Sequence, residues 1–173
     1  MHYNEEELIR ASQQGNNEAF GRLYDRHVRI IYDFVYYRTR HKETSEDLTS
    51  QTFFKALRSI GSVDPLKPFV SWLYKIAHNT VLDHYRTQKK ADDIDQIFDL
   101  TDGTDIVESL DTHRETAKVK KYLESLTDIE RDIVVMRVWQ ELPYKEIGKI
   151  VGKSEASCKM IYSRSLKKLR ELL

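Results

Sequence analysis

The sequence predicts an all-α protein made of two small helical domains joined by a flexible acidic linker. Its 173 residues include only six Gly and three Pro, which disfavours an all-β fold with many tight turns. Apolar residues make up 40% and charged residues 32%, a composition typical of a chain with a packed core. Along both halves, the apolar residues recur at spacings of three and four, which indicates amphipathic helices.

The charge distribution divides the chain into three parts. Residues 91–111 contain seven Asp, one Glu and no Lys or Arg, so their net charge is −8. The flanking parts, 1–90 and 112–173, carry net charges of +3 and +5. We therefore expect two mildly basic domains on either side of an acidic linker at 91–111.

Cysteine usage and the N-terminal residues predict a cytoplasmic protein. Cys158 is the only cysteine, which rules out an internal disulfide and suits a reducing compartment. We interpret it as a small core residue and not as a redox sensor. The chain starts with polar and acidic residues, and no apolar run approaches the roughly 20 residues needed to cross a bilayer. A soluble protein without membrane insertion is expected.

The first domain begins with two predicted helices. The first covers about 4–14, is acidic at its start and ends at Gly15, which can adopt a left-handed cap. Asn16 or Asn17 can cap the second, which runs to about Arg40.

Two further helices complete the first domain. Thr44 and Asp47 resemble a capping box for the third helix. One Gly and two Pro mark 59–68 as a loop, and the fourth helix is predicted over 69–90 with Leu73, Ala77 and Val81 facing inward.

The outer face of the fourth helix carries the first functional signal. Cationic and amide groups at Lys75, Asn79 and Arg86 can bind phosphates and base edges, and His78 is placed on the same face. Aromatic rings can stack on unpaired bases, a role left open here for Tyr74 and Tyr85, whereas Trp72 is interpreted as core. Alone, such a helix is weak evidence for nucleic-acid binding.

The second domain contains a predicted helix-turn-helix. Thr127 and Glu130 form a capping box that opens one helix. A short helix follows, then Gly152 in a tight turn and Ser154 as the cap of a final basic helix. From Lys145 onward the chain has eight basic and three acidic residues. We favour DNA binding over an ordinary helical hairpin with a solvated basic face.

Several segments, taken in order, resemble the extracytoplasmic-function (ECF) sigma factors, promoter-recognition subunits of bacterial RNA polymerase. The most specific is WLYKIAHN at 72–79, followed by Asp83 and Arg86. Others are Ser45 to Leu48 with Phe53, and the helix-turn-helix pattern from Leu126 to Arg164. The resemblance covers nearly all of the chain except the acidic segment.

This resemblance implies a role for each part of the chain. The first domain (1–90) would bind core polymerase and melt the −10 promoter element, and the second (112–173) would bind the −35 element as duplex. Implied −35 contacts are Ser154, Lys159 and Arg164. Implied −10 contacts are Lys75, Asn79 and Arg86. Asp47 and Gln51 would bind core polymerase. The linker would thread toward the polymerase's RNA path, and an anti-sigma factor, often membrane-anchored in this family, is an implied partner.

Two other function classes compete with this interpretation. A two-domain helix-turn-helix regulator could bind duplex DNA without core polymerase, but it would not need both the Glu46 to Phe53 and the Trp72 to Arg86 segments. An enzyme is disfavoured because phosphate-binding Gly loops, HExxH and paired Cys motifs are missing from the sequence. No catalytic residue, metal ligand or cofactor is therefore predicted.

Overall fold

The computed structural model describes residues 4–92, 121–123 and 125–172, and the chain divides into two compact units. Every regular element within these residues is helical, which confirms the all-α prediction. The first unit contains α1 (Glu5–Gln13), α2 (Asn17–Thr39), α3 (Lys42–Ser59), a 3-10 turn (Ile60–Ser62) and α4 (Phe69–Asp92). After helical residues at 121–123 and 125, the second contains α5 (Asp128–Val138), α6 (Tyr144–Val151) and α7 (Glu155–Leu172).

The acidic segment that defined the predicted linker falls largely outside this description. Helix α4 extends to Asp92, two residues beyond its predicted end. The remainder of the predicted linker, 93–111, lies outside the described residues. Among the helices that are described, none is long and apolar enough to span a membrane.

Asparagine side chains start the first two helices, which the sequence predicts for the second helix. The Asn4 side chain accepts a hydrogen bond from the Glu7 N–H at 2.8 Å, and the Glu7 carboxylate accepts one from the Asn4 N–H at 2.9 Å. This reciprocal pair is a capping box. Of the two candidates for the second helix, Asn16 is the cap, accepting from the Ala19 N–H at 3.1 Å. Gly15 between the helices has a φ of 88°, a conformation that glycine adopts without strain.

The capping box predicted at Thr44 and Asp47 is wrong. Helix α3 begins at Lys42, three residues before the start that a Thr44 cap would give, and its cap is His41, whose Nδ1 accepts from the Thr44 N–H at 3.3 Å. Thr44 therefore lies within the first turn. The chain reverses over only two residues because Arg40 ends α2 in the left-handed conformation, with a φ of 55°.

Helix α4 packs against both α2 and α3, and this burial corrects the predicted placement of His78 and decides the alternative left open for Tyr74. Leu73, Ala77 and Val81 are buried as predicted. Tyr74 and His78 are buried too, so neither lies on an outer face. The Tyr74 ring meets Phe34 edge-on at 5.0 Å between centroids, and burial raises the pKa of its hydroxyl well above the ordinary value. Two covering helices bury a wider arc of α4 than one would.

Helix α1 fastens the start of α4 and the loop before it. The Glu5 carboxylate lies 2.9 Å from His27 Nε2 on α2 and accepts a hydrogen bond from the Phe69 N–H at 3.4 Å. The hydrogen bond with His27 lowers the pKa of Glu5, although burial opposes this. Gln13 donates to the carbonyls of Ile60 and Val63 at 3.1 and 2.8 Å. The loop ahead of α4 is thereby tied to the body of the unit.

The second unit forms the predicted helix-turn-helix. The Glu130 carboxylate accepts hydrogen bonds from the N–H and hydroxyl of Thr127 at 2.9 and 3.0 Å, at the start of α5. Gly152 ends α6 with a φ of 68°, and the Ser154 hydroxyl accepts from the Ser157 N–H at 3.1 Å at the start of α7. Cys158 is fully buried, and its burial raises the pKa of the thiol. It is a core residue, as predicted.

Polar side chains, one of them buried, fix the helices of the second unit to one another. Arg131 on α5 is buried and donates to the carbonyls of Leu123 and Leu126 at 2.8 and 3.0 Å. Lys168 on α7 lies 2.7 Å from the Glu130 carboxylate on α5. Burial alone would raise the pKa of Glu130, but hydrogen bonds from Lys168 and Thr127 outweigh it, so the pKa is lowered from its ordinary value.

Because its pKa is lowered on folding, Glu130 should stabilise the second unit at neutral pH and lose that effect in acid. We expect Glu130→Gln to reduce the free energy of unfolding by about 1 kcal/mol at neutral pH. The difference from wild type should shrink as the pH falls through the lowered pKa of Glu130. Denaturant unfolding can be followed through Trp139 in a Trp72→Phe background, since each unit contains one of the two tryptophans. A pH-independent difference, or an equal effect of Glu171→Gln at the exposed end of α7, would contradict this role.

Candidate nucleic-acid interface

The three residues predicted to contact the −10 element share one exposed face of α4. Lys75, Asn79 and Arg86 are all exposed. At 3.6 residues per turn, their directions from the helix axis fall within about 40° of one another. The structure therefore brings these three side chains into a single row of two cations and an amide.

A small charge network joins this row to α3. Asp83 lies 3.7 Å from the Arg86 guanidinium and 3.9 Å from the Lys55 ammonium of α3. Lys55 also donates to the Thr80 hydroxyl at 3.1 Å. These exposed ion pairs contribute little stability, but they keep a third cation, Lys55, beside the row.

The two residues predicted to bind core polymerase lie next to each other on the exposed side of α3. Gln51 donates to the Asp47 carboxylate at 2.8 Å. The same side continues to Phe54, which is 61% exposed, and Arg58, whose guanidinium lies 5.7 Å from the Phe54 ring centroid. Phe54 was not among the predicted site residues, although the Phe53-Phe54 doublet is a signal, since two adjacent residues cannot both face one core.

The three residues predicted to contact the −35 element do not share a single face. Lys159 and Arg164 are exposed on α7, about 140° apart around its axis. Their directions lie on either side of the outermost line of the helix. The Ser154 hydroxyl caps α7 and also donates to the Ser157 hydroxyl at 2.8 Å. Exposed cations therefore border the outer surface of α7, and Ser154 stands at its start.

Comparisons with known proteins match each unit to a separate family. Residues 23–91 match Sigma-70 region 2, and residues 122–171 match Sigma-70, region 4. The chain is 34% identical to the RNA polymerase sigma factor YlaC of Bacillus subtilis, over 75% of this chain and 78% of that protein. The chain belongs to the ECF group of sigma factors. This confirms the predicted family, whose members are promoter-recognition factors and not enzymes.

Other relatives of this sigma factor agree. It is 34% identical to the ECF RNA polymerase sigma factor BldN of Streptomyces coelicolor, over 96% of this chain. The chain spans 65% of the length of that relative. Its fold is similar to that of the sigma factor RpoE from Bartonella quintana, solved in complex with the anti-sigma factor NepR. The TM-score is 0.74 at 22% identity, covering 88% of this chain and 95% of that chain.

In the second unit of this sigma factor, Tyr144 at the start of α6 contacts side chains of both α5 and α7. The Tyr144 ring lies 4.8 Å from the Arg137 guanidinium and 5.9 Å from the Lys159 ammonium. It also meets the Tyr162 ring at 5.8 Å between centroids. Cation–π contacts of this kind restrain the long side chain of Lys159 without neutralising it. Lys159 also pairs with Glu155 at 2.8 Å, which lowers the pKa of that carboxyl.

Proposed function

We propose that this protein directs core RNA polymerase to specific promoters, binding the −35 element as duplex and melting the −10 element. The observation that carries the proposal is the order of matches to Sigma-70 regions 2 and 4 in a single chain. Residues 1–90 would form the polymerase- and −10-binding domain, and 112–173 the −35-binding domain. The acidic segment 91–111 would join them, with a charge suited to a channel built for polyanionic RNA.

Promoter melting in this proposal is a matter of binding and not of chemistry. A protein that binds the unpaired strand better than the duplex shifts the equilibrium toward the open state. The row formed by Lys75, Asn79 and Arg86 supports this role because cations contact phosphates and an amide can contact a base edge. Extruding a base costs a few kcal/mol, which these contacts must offset.

Recognition of the −35 element would use α7 as the helix that enters the major groove. The N-terminal residues of a recognition helix face the base edges. Lys159 lies in the second turn of α7 and Arg164 in the third. Ser154 sits at the helix start, where backbone N–H groups can meet a phosphate.

The remaining partners follow from the family. Asp47 and Gln51, together with Phe54, would contact core polymerase, since a polar pair beside an exposed ring is typical of a protein interface. The sigma factor RpoE, whose fold is similar, was solved in complex with an anti-sigma factor. We propose that an anti-sigma factor, membrane-anchored or soluble, binds and controls this protein. We propose the cytoplasm, where core polymerase acts, as its site of action.

Run-off transcription with purified core polymerase on genomic templates tests the proposed function. We expect discrete transcripts that depend on the added protein, and their start sites supply the promoter sequence. A regulator that acts without polymerase would bind DNA but yield no such transcripts. Failure to bind core polymerase in a pull-down would contradict the proposal.

Alanine at Asn79 or Arg86 should impair promoter opening more than it impairs polymerase binding. Losing one base or phosphate contact costs about 1–3 kcal/mol, so the opening equilibrium should fall about tenfold. Permanganate footprinting of the −10 region measures opening, and a pull-down measures binding to core polymerase. Arg22→Ala, at an exposed position on α2, is the matched control. Equal losses of opening and binding would instead indicate a disrupted fold.

Asp47→Ala should weaken assembly with core polymerase and leave DNA contacts intact. Removing the carboxylate also releases Gln51 from its 2.8 Å hydrogen bond, so the second side chain of the polymerase-binding pair is no longer held in place. We expect about a tenfold increase in the dissociation constant, typical of a central polar interface residue. Fluorescence anisotropy of the labelled protein measures it, with Glu43→Ala on the same helix as a control. Unchanged assembly would remove Asp47 from the interface.

A further inference from the structure

An apolar side chain occupies the outer surface of the helix proposed to enter the major groove. Met160 on α7 is 49% exposed. Ala156, one turn earlier, is exposed as well. The opposite side of α7 is marked by the fully buried Cys158 and Ser165. Met160 therefore points away from the core of its own unit.

Cations surround this apolar spot. At 3.6 residues per turn, Ala156 and Met160 lie within about 40° of each other. Lys159 and Arg164 lie on either side of Met160, and Lys167 lies about two turns further along the helix; all three are exposed. An exposed methionine bordered by cations complements a ligand surface that presents an apolar group with anionic groups around it.

The major groove of DNA offers one such apolar group. Each base pair presents donors and acceptors there, and only thymine adds a methyl group. A thioether side chain is a poor hydrogen-bonding partner but fits an apolar group well because it is unbranched and polarizable. We infer that Met160, supported by Ala156, reads the C5-methyl group of a thymine in the −35 element. This inference deepens the proposed function and rests on it.

The position of Met160 along the helix agrees with base readout. It is the sixth residue of α7, in the second turn, where recognition helices contact base edges. Lys167 lies farther from the helix start, where side chains reach phosphates more readily than bases. Phosphate contacts would thus set the position of the helix, and Met160 would add sequence selectivity.

Replacing thymine with deoxyuridine removes only the methyl group and tests the inference directly. The reconstituted holoenzyme would first select its −35 sequence from a randomised pool. Each thymine on either strand would then be replaced singly by deoxyuridine, and holoenzyme affinity measured. We expect a loss of about fourfold at one position or two adjacent ones, the value of burying a single methyl group.

Two variants place that methyl contact on Met160. With Met160→Ala, the penalty for deoxyuridine should fall below twofold, because the partner of the methyl group is gone. With Arg164→Met, affinity should drop equally for thymine and deoxyuridine, because a cation reads no methyl group. Thermal unfolding of Met160→Ala should match that of wild type, since the side chain is exposed.

Each other outcome would overturn the inference. If deoxyuridine is tolerated at every position, methyl readout is refuted, although the proposed function stays intact. The same conclusion holds if deoxyuridine is tolerated and Met160→Ala weakens binding to a protein partner. A penalty that persists in Met160→Ala would assign the contact to another residue. If the holoenzyme selects no −35 sequence at all, the proposed function fails together with the inference.

Discussion

Raising the salt concentration from about 50 to about 200 mM should weaken binding of the protein to a short DNA duplex by about 250-fold. Each phosphate neutralised by a lysine or arginine releases condensed counterions, and the slope of log affinity against log salt is about −0.9 per contact. Four to five contacts by the second unit give a slope of about −4. Fluorescence anisotropy with a duplex of about 20 base pairs would measure it.

The number of contacts follows from the ion pairs of the second unit. Of its eight basic residues from Lys145 onward, three pair with carboxylates of the same unit at 2.7–2.8 Å: Lys149, Lys159 and Lys168. The other five have no ion pair among the described residues, and these are Lys145, Lys153, Arg164, Lys167 and Arg170. Five available cations agree with four or five phosphate contacts.

Two adjacent lysines provide a matched test of this count. Lys167→Met should reduce the magnitude of the slope by about one, because Lys167 lies on the outward side of α7. Lys168→Met should leave the slope unchanged, since Lys168 faces α5 and is paired with Glu130 at 2.7 Å. The two variants have the same net charge, so a general charge effect would act equally on both. Equal slopes, or a wild-type slope near zero, would contradict the proposed DNA-binding surface.

Local capping chemistry made much of the fold predictable from sequence. The caps at Asn16, Thr127 and Ser154 form where the sequence places them, and Gly152 adopts the predicted left-handed conformation. These signals depend on residues three or four positions apart, so they need no knowledge of tertiary structure. Helix boundaries and the turn of the helix-turn-helix follow from them.

Features that depend on neighbouring helices were predicted less well. Periodicity places Tyr74 and His78 at the margin of the apolar stripe, but it does not reveal how many helices cover α4. Because α2 and α3 both pack on it, these side chains are buried. The start of α3 was misplaced for a related reason: nothing in the sequence distinguishes Arg40 as a left-handed residue, and histidine is an uncommon cap.

In the candidate site too, local features were predicted from sequence, whereas features that depend on packing between helices were not. Lys75, Asn79 and Arg86 could be assigned to one face because spacing alone determines their direction. The hydrogen bond between Gln51 and Asp47 is also local, one turn apart. The exposure of Phe54 and the contact of Lys55 with Asp83 depend on the packing of α3 against α4, which the sequence does not encode locally.

Gly148→Ala should be among the most destabilising single-methyl changes in the second unit. A Cβ added at Gly148 on α6 would lie 2.5 Å from the carbonyl oxygen of Lys153, far inside van der Waals contact. The obstructing atom belongs to the backbone and is held by the Lys153 N–H, which donates to the Gly148 carbonyl at 2.9 Å. The turn must therefore open and displace the start of α7. Overpacking of this kind costs about 1–3 kcal/mol.

A second glycine-to-alanine substitution, in the first unit, should change the free energy of unfolding in the opposite direction and serves as a control. Gly21 lies within α2, and outside its own stretch of helix no atom lies within 4 Å of an added Cβ. Gly21→Ala should therefore stabilise the first unit by about 0.5–1 kcal/mol. Trp139 fluorescence in a Trp72→Phe background reports the second unit, and Trp72 fluorescence in a Trp139→Phe background reports the first. Gly148→Ala should lower the denaturant midpoint of unfolding reported by Trp139, and it should leave the midpoint reported by Trp72 unchanged.

The consequence for function separates the two units. Because the turn after Gly148 sets the position of α7 relative to α6, Gly148→Ala should weaken −35 duplex binding beyond the loss expected from the unfolded fraction alone. Binding of core polymerase through α3 should persist, since that surface belongs to the first unit. If Gly148→Ala were as stable as wild type, the turn would have to move by several tenths of an ångström without cost. That result would contradict the close approach of Gly148 on α6 to the backbone of the turn at Lys153. This approach is what we expect to set the orientation of α7.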